Sequence, residues 1–115
     1  MLSETIKSGD WKGEKHVPAI EYVKNGDMLE VEVSIGKEVP HPNTPEHHIA
    51  WIELYFHPED GKFPIMVGRA AFTNHSDPLS EPKAKFFIKT EKNGKLMALS
   101  YCNIHGLWQN EVEVE

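Results

Sequence analysis

The apolar positions of this chain recur with a period of two. Leu29, Val31, Val33 and Ile35 alternate with Glu30, Glu32 and Ser34, a spacing that would scatter them around a helix but lines one face of a strand. A shorter run over 19–24, with Ile20 and Tyr22 against Glu21, precedes it. Between the two, Asn25-Gly26-Asp27 is a hairpin turn, because Asn-Gly tolerates positive φ. Further extended runs are expected over 50–56, 64–72, 85–90, 95–101 and 107–114. Their separators are Pro58-Glu59-Asp60-Gly61, the polar loop 74–82, and Lys92-Asn93-Gly94, read as a second turn of the Asn-Gly kind. About seven strands spaced in this way, with no amphipathic stretch long enough for a crossover helix, predict an all-β chain. The architecture they fit is an immunoglobulin-like antiparallel β-sandwich.

Two segments look different from turns. One is Ser8 to Pro18; the other is Glu38 to Glu46, where Pro40, Pro42 and Pro45 stiffen the backbone and remove donors a strand would need. At 115 residues and 39% apolar content, one domain over 1–115 with its own core is expected. The single cysteine cannot form an internal disulfide, which excludes a disulfide-stapled secreted scaffold. No apolar run is long enough to span a bilayer, and charges throughout 1–16 leave no signal-peptide core, so the expected location is cytoplasmic. Eighteen Asp and Glu against 12 Lys and Arg give a net charge of −6, which argues against nucleic-acid binding and means that an anionic substrate must be attracted locally.

Seven histidines are the chemical signal, and their positions matter more than their number. His16 lies in the first long loop, His41 and His47 bracket the proline-rich one, and His105 follows the only cysteine in Cys102-Asn103-Ile104-His105-Gly106. All of these fall in loops or at strand ends, where a rigid sandwich presents functional side chains. A cysteine and a histidine three residues apart around a tight turn, with Gly106 freeing the backbone, can place two ligands on one ion. His48 follows His47 directly, so only one of that pair is expected to face the centre. His57 and His75 are read as solvent residues. Four imidazoles and a thiolate are one ligand too many for zinc; five mixed nitrogen and sulfur donors with one open octahedral place suit redox-active iron better. A blue-copper-like electron-transfer protein, a zinc-binding β-sandwich module and a cysteine nucleophile activated by His105 are the competing readings. Trp11, Trp51 and Trp108 fit subunit contacts and an ordinary core equally well.

Three ordered motifs resemble one family. Gly13-Glu14-Lys15-His16-Val17-Pro18, then Pro40-His41-Pro42-Asn43 with Glu46-His47-His48-Ile49, then Ser100-Tyr101-Cys102-Asn103-Ile104-His105-Gly106-Leu107-Trp108 are similar to the superoxide reductases of the small one-iron kind, also called neelaredoxins. The resemblance implies one mononuclear iron per subunit, with four equatorial ligands that here are His16, His41, His47 and His105, and an axial thiolate from Cys102. It implies that Glu14 takes the sixth position when the iron is ferric and that Lys15 is the cation beside that position. It also implies reduction of superoxide to hydrogen peroxide, rubredoxin as electron donor, and a homotetramer.

Overall fold

A computed structural model describes all 115 residues. Its strands are β1 (Ala19–Asn25), β2 (Met28–Ser34), β3 (Ile49–Pro58), β4 (Ile65–Ala71), β5 (Lys83–Lys89), β6 (Gly94–Cys102) and β7 (Gly106–Val114), preceded by a one-turn helix, α1 (Leu2–Thr5), that the alternation does not predict. They form two antiparallel sheets, β1-β2-β5 and β4-β3-β6-β7. The fold is the expected immunoglobulin-like sandwich, with the fourth strand beside the third rather than on the sheet that carries it in immunoglobulin constant domains. No helix is long and apolar enough to cross a membrane.

Alternation does what the sequence pattern requires. Leu29, Val31 and Val33 of β2 face Ile52, Leu54 and Phe56 of β3 and Leu96 and Ala98 of β6 in one buried cluster. Asn25 pairs with Met28, so Gly26 and Asp27 close the first hairpin, and Gly26 has the positive φ of 60° that the turn needs.

Two features depart from a regular pattern. The Asn93-Gly94 pair is not a hairpin turn: it leads from β5 in one sheet to β6 in the other, and Gly94 is not among the positive-φ glycines. Gly94 is required for closeness instead, since a Cβ there would lie 2.3 Å from the His57 carbonyl oxygen. The second departure is a bulge. Ile49 of β3 pairs with Cys102, yet the next pair is Trp51 with Tyr101, leaving Ala50 extra. Without it Ile49 would share the outer face with Trp51; with it both Ile49 and Cys102 point inward, at 2% and 0% exposure. The outward pair Trp51 and Tyr101 stacks at 5.7 Å. The end of the sandwich where β3 begins and β6 finishes is thus turned toward the loops that carry the remaining histidines.

Candidate metal centre

Each loop at this end is set by local hydrogen bonds. In 8–18, the Asp10 carboxylate accepts from the Lys12 N–H, and its carbonyl accepts from Gly13 and Glu14, making a turn that delivers Glu14, Lys15 and His16 in succession. Lys12 and Lys37 each place their ammonium 5.7 Å from the Trp11 ring, tying this loop to the next. In 35–48, Gly36 has φ 80° and packs against the His41 backbone. Thr44 and His47 exchange backbone bonds, and the His47 N–H also reaches the Thr44 hydroxyl. Asn43 donates to the Ser80 carbonyl and accepts from Asn74, anchoring the loop from outside.

Asn103 connects this loop to the Cys-His turn. Its side chain accepts from the His48 N–H at 2.8 Å and donates to the Glu46 carbonyl at 2.9 Å, while its backbone N–H donates to the His48 carbonyl. Sequence reasoning assigns Asn103 no role and reads Trp108 as a subunit-contact or core residue, although both lie in the third motif.

The four expected rings form a closed circuit. Centroid distances run 4.8 Å from His16 to His41, 4.9 Å to His47, 5.1 Å to His105 and 4.9 Å back to His16. The Cys102 sulfur lies 3.4 Å from His41 Nε2 and 3.9 Å from His105 Nδ1, and accepts the His105 backbone N–H at 3.4 Å. The structure therefore brings the rings of His16, His41, His47 and His105 and the Cys102 sulfur to one place, with His105 outside the group of four whose ligand atoms all lie within 4.8 Å of one another. His105 is the outermost of them and exposed. His48 turns away and donates from Nδ1 to the Thr44 carbonyl. His75 is exposed as expected, but His57 is not a solvent residue: it is half-buried at the end of β3 and its Nε2 donates to the Gly61 carbonyl.

These donors fit a metal ion. Ligand atoms of His16, His41, His47 and Cys102 all lie within 4.8 Å of one another, against about 4–4.6 Å between opposite donors each 2.0–2.3 Å from a first-row ion. Outer partners fix the ring orientations. His16 donates from Nδ1 to Glu14 at 2.7 Å and His41 from Nδ1 to the Pro42 carbonyl at 2.6 Å, so each turns a lone pair at Nε2 inward. His47 Nε2 is buried with no hydrogen-bond partner, and His16 Nε2 faces His105 Nδ1 at 3.2 Å. A proton could serve one such pair of nitrogens; a cation in the middle serves them all.

Glu14 lies against His16. Its Oε1 accepts from both the Nδ1–H and the backbone N–H of His16, on the side of that ring away from the centre. These bonds hold its carboxyl below the usual range. Lys15 sits half-buried beside it, and its charge helps to depress the pKa of His41 and of His47.

Burial is the main cause of both shifts, and it takes His41 from 6.5 down to about 4. His41 and His47 are therefore neutral, available donors at pH 7. Between those two values an unfolded His41 takes up a proton that the folded one refuses, so the metal-free protein is expected to lose stability as pH falls from about 6.5 toward 4. A denaturant midpoint lower at pH 5 than at pH 7 meets this expectation; an equal or higher one contradicts it.

A β-sandwich that gathers imidazoles and a thiolate around one point at its end defines a class, the mononuclear metalloproteins with mixed nitrogen and sulfur ligation. Comparison with known proteins narrows it. The desulfoferrodoxin family model matches residues 8–111. The chain is 78% identical to the superoxide reductase of Pyrococcus abyssi and 77% to that of Pyrococcus horikoshii, each over the whole of both chains. It superposes on the solved superoxide reductase (neelaredoxin) of Archaeoglobus fulgidus in its reduced form with a TM-score of 0.90, at 54% identity over 96% of this chain and 98% of that one. The chain belongs to the superoxide reductase family, of the neelaredoxin type, and is an oxidoreductase that binds iron.

Proposed function

We propose that this chain reduces superoxide to hydrogen peroxide, as one iron-binding domain over 1–115 holding a single mononuclear iron. The observation that carries the proposal is the circuit of four rings closed over the Cys102 sulfur. In this reading the ligands are His16, His41, His47, His105 and Cys102. Iron bound there would supply a one-electron ferrous/ferric couple, with the Cys102 thiolate donating electron density to it. The family resemblance supports rubredoxin as the external donor, a homotetramer as the assembly and the cytoplasm as the location.

The other roles belong to side chains that do not close the circuit. Neutral imidazoles and one thiolate leave the centre cationic, so it attracts an anion although the protein carries −6. Lys15 adds a second cation to the same approach. At about 7 Å such a charge is worth about 0.6 kcal/mol in water and about 2.4 kcal/mol at an effective dielectric of 20. Lys15→Ala is therefore expected to slow association with superoxide by about 3-fold to 50-fold at low salt. The deficit should shrink as ionic strength rises. An unchanged second-order rate at low salt removes the steering role.

Glu14 is assigned two positions. In the structure it orients His16; to ligate an oxidised iron its carboxylate would have to turn from that residue toward the centre. The hard carboxylate prefers the oxidised metal, so Glu14→Ala is expected to change the ferric absorption spectrum and, because His16 loses its outer partner, to weaken metal retention by about 10-fold or more, while the rate of ferrous oxidation per bound iron stays within about threefold. A much larger loss of rate refutes that division of labour.

The competing readings fare worse. A blue-copper site takes two His, one Cys and a weak axial ligand, commonly Met, whereas four rings converge here and none of Met1, Met28, Met66 and Met97 lies in the site loops. A zinc module has no use for a fifth donor. Metal analysis with product counting tests the whole reading. Iron, one peroxide per superoxide and no dioxygen from reduced protein are expected; half as much peroxide accompanied by dioxygen would mean dismutation.

A further inference from the structure

Trp108 is fixed from both sides before its side chain is considered. It pairs with Ser100 across the β6–β7 ladder and forms a parallel bridge with Lys7, whose N–H donates to the Leu107 carbonyl and whose carbonyl accepts from Gln109. From this position the indole lies flat on His16, 4.5 Å between ring centres and 12° between planes, whereas the contacts of His16 with His41 and His105 are edge-on at 78° and 77°. Its Nε1–H donates to the His105 carbonyl at 3.2 Å. Glu14 fixes the rotation of His16 in its own plane, and the indole fixes the plane itself.

We propose that Trp108 is a positioning residue of the metal centre, stacking on His16 and bonding to the His105 backbone so that two ligands from opposite ends of the chain rest on one support. The proposal rests on the reading of His16 as a ligand. An imidazole that shares its lone pair with a cation gains positive character, and an indole face attracts positive charge. The stack therefore favours the metal-bound ring over the free one, in addition to orienting it. Trp108 is also half-exposed, so the support sits at the rim of the centre and not in the core.

The test uses the full chain, stripped of metal and titrated with cobalt(II), following the absorption bands of the bound ion. Trp108→Leu is expected to weaken binding about 10-fold, and Trp108→Phe, which keeps an aromatic face and loses the N–H, by no more than about 3-fold. In a His16→Ala background Trp108→Leu should add no more than the roughly 3-fold that belongs to the bond with His105, because the ring on which it stacks is gone. An equal loss in both backgrounds, or no loss in either, overturns the proposal. Wild-type protein that binds no cobalt overturns the ligand reading instead. Should Trp108→Leu fail to fold, NMR of the metal-free wild type decides: His16 ring protons displaced upfield of those of exposed His75 support the stack, and coincident shifts refute it.

Discussion

Cys102→Ser is expected to abolish the visible sulfur-to-iron charge-transfer band and to lower superoxide reduction by more than about 100-fold, since loss of an outer partner of a metal ligand already costs about 10–100-fold. The reason lies in both chemistry and place. A serine hydroxyl stays protonated where a thiol gives a thiolate, and oxygen is a harder, poorer donor to the electron-rich side of the couple. Cys102 is fully buried at the last position of β6, inward by virtue of the bulge opposite it, with the His105 N–H directed at its sulfur. Serine fits the same space, so the fold should survive and far-ultraviolet circular dichroism should match the parent. A retained visible band in the folded variant would remove Cys102 from the ligand set.

Gly36→Ala ranks second. The residue has φ 80°, which costs an L-residue about 1–2 kcal/mol, and an added Cβ would lie 2.7 Å from the His41 backbone nitrogen and 3.3 Å from the His41 Cβ. That neighbour is backbone, so relief requires the whole 36–41 segment to shift, and the His41 ring moves with it. The variant is expected to unfold at least about 2 kcal/mol more easily than the parent and to hold less than half its iron after purification. Thermal melts and metal analysis read the two effects separately. Full iron content together with unchanged stability would show that the loop does not set His41. Gly26→Ala is the natural control, since that hairpin glycine has positive φ but an open Cβ position and no contact with the centre.

The strands are legible in the sequence because each side chain at a two-residue period has one buried face to satisfy, and all seven fall within a few residues of the alternation. What alternation cannot reveal is a break in itself. The extra residue at Ala50 reverses the facing of Ile49, and it is defined by the pairing of β3 with β6, not by any local composition. Asn93-Gly94 fails for a related reason: the dipeptide signals a turn wherever it occurs, while here the missing Cβ accommodates a carbonyl from another strand. His57 looks like a turn residue and is half-buried, because the long strand β3 runs on to Pro58.

At the centre, the four rings and the one thiol that come together at this end are readable because imidazole and thiol in stiff loops stand out from the alternating strands. Their supports are not. Asn103 acts through three bonds to residues more than fifty positions away, and the stacking of Trp108 on His16 depends on how β7 lies beside the first loop. The position of Glu14 on the outer nitrogen of His16 likewise follows from the turn at Asp10, which has no distinctive sequence signature.

His16 and His105 are 89 positions apart in the chain and 3.2 Å apart at their ring nitrogens. An ion shared by them acts as a cross-link in a protein whose lone cysteine can make none of its own. By the loop-closure relation used for disulfides, pinning a span of that length restricts the denatured ensemble by about 4–5 kcal/mol, and the strength of a coordinate bond sets how much of this is realised. The catalytic ion would then double as the clasp that joins the loop before β1 to the turn before β7.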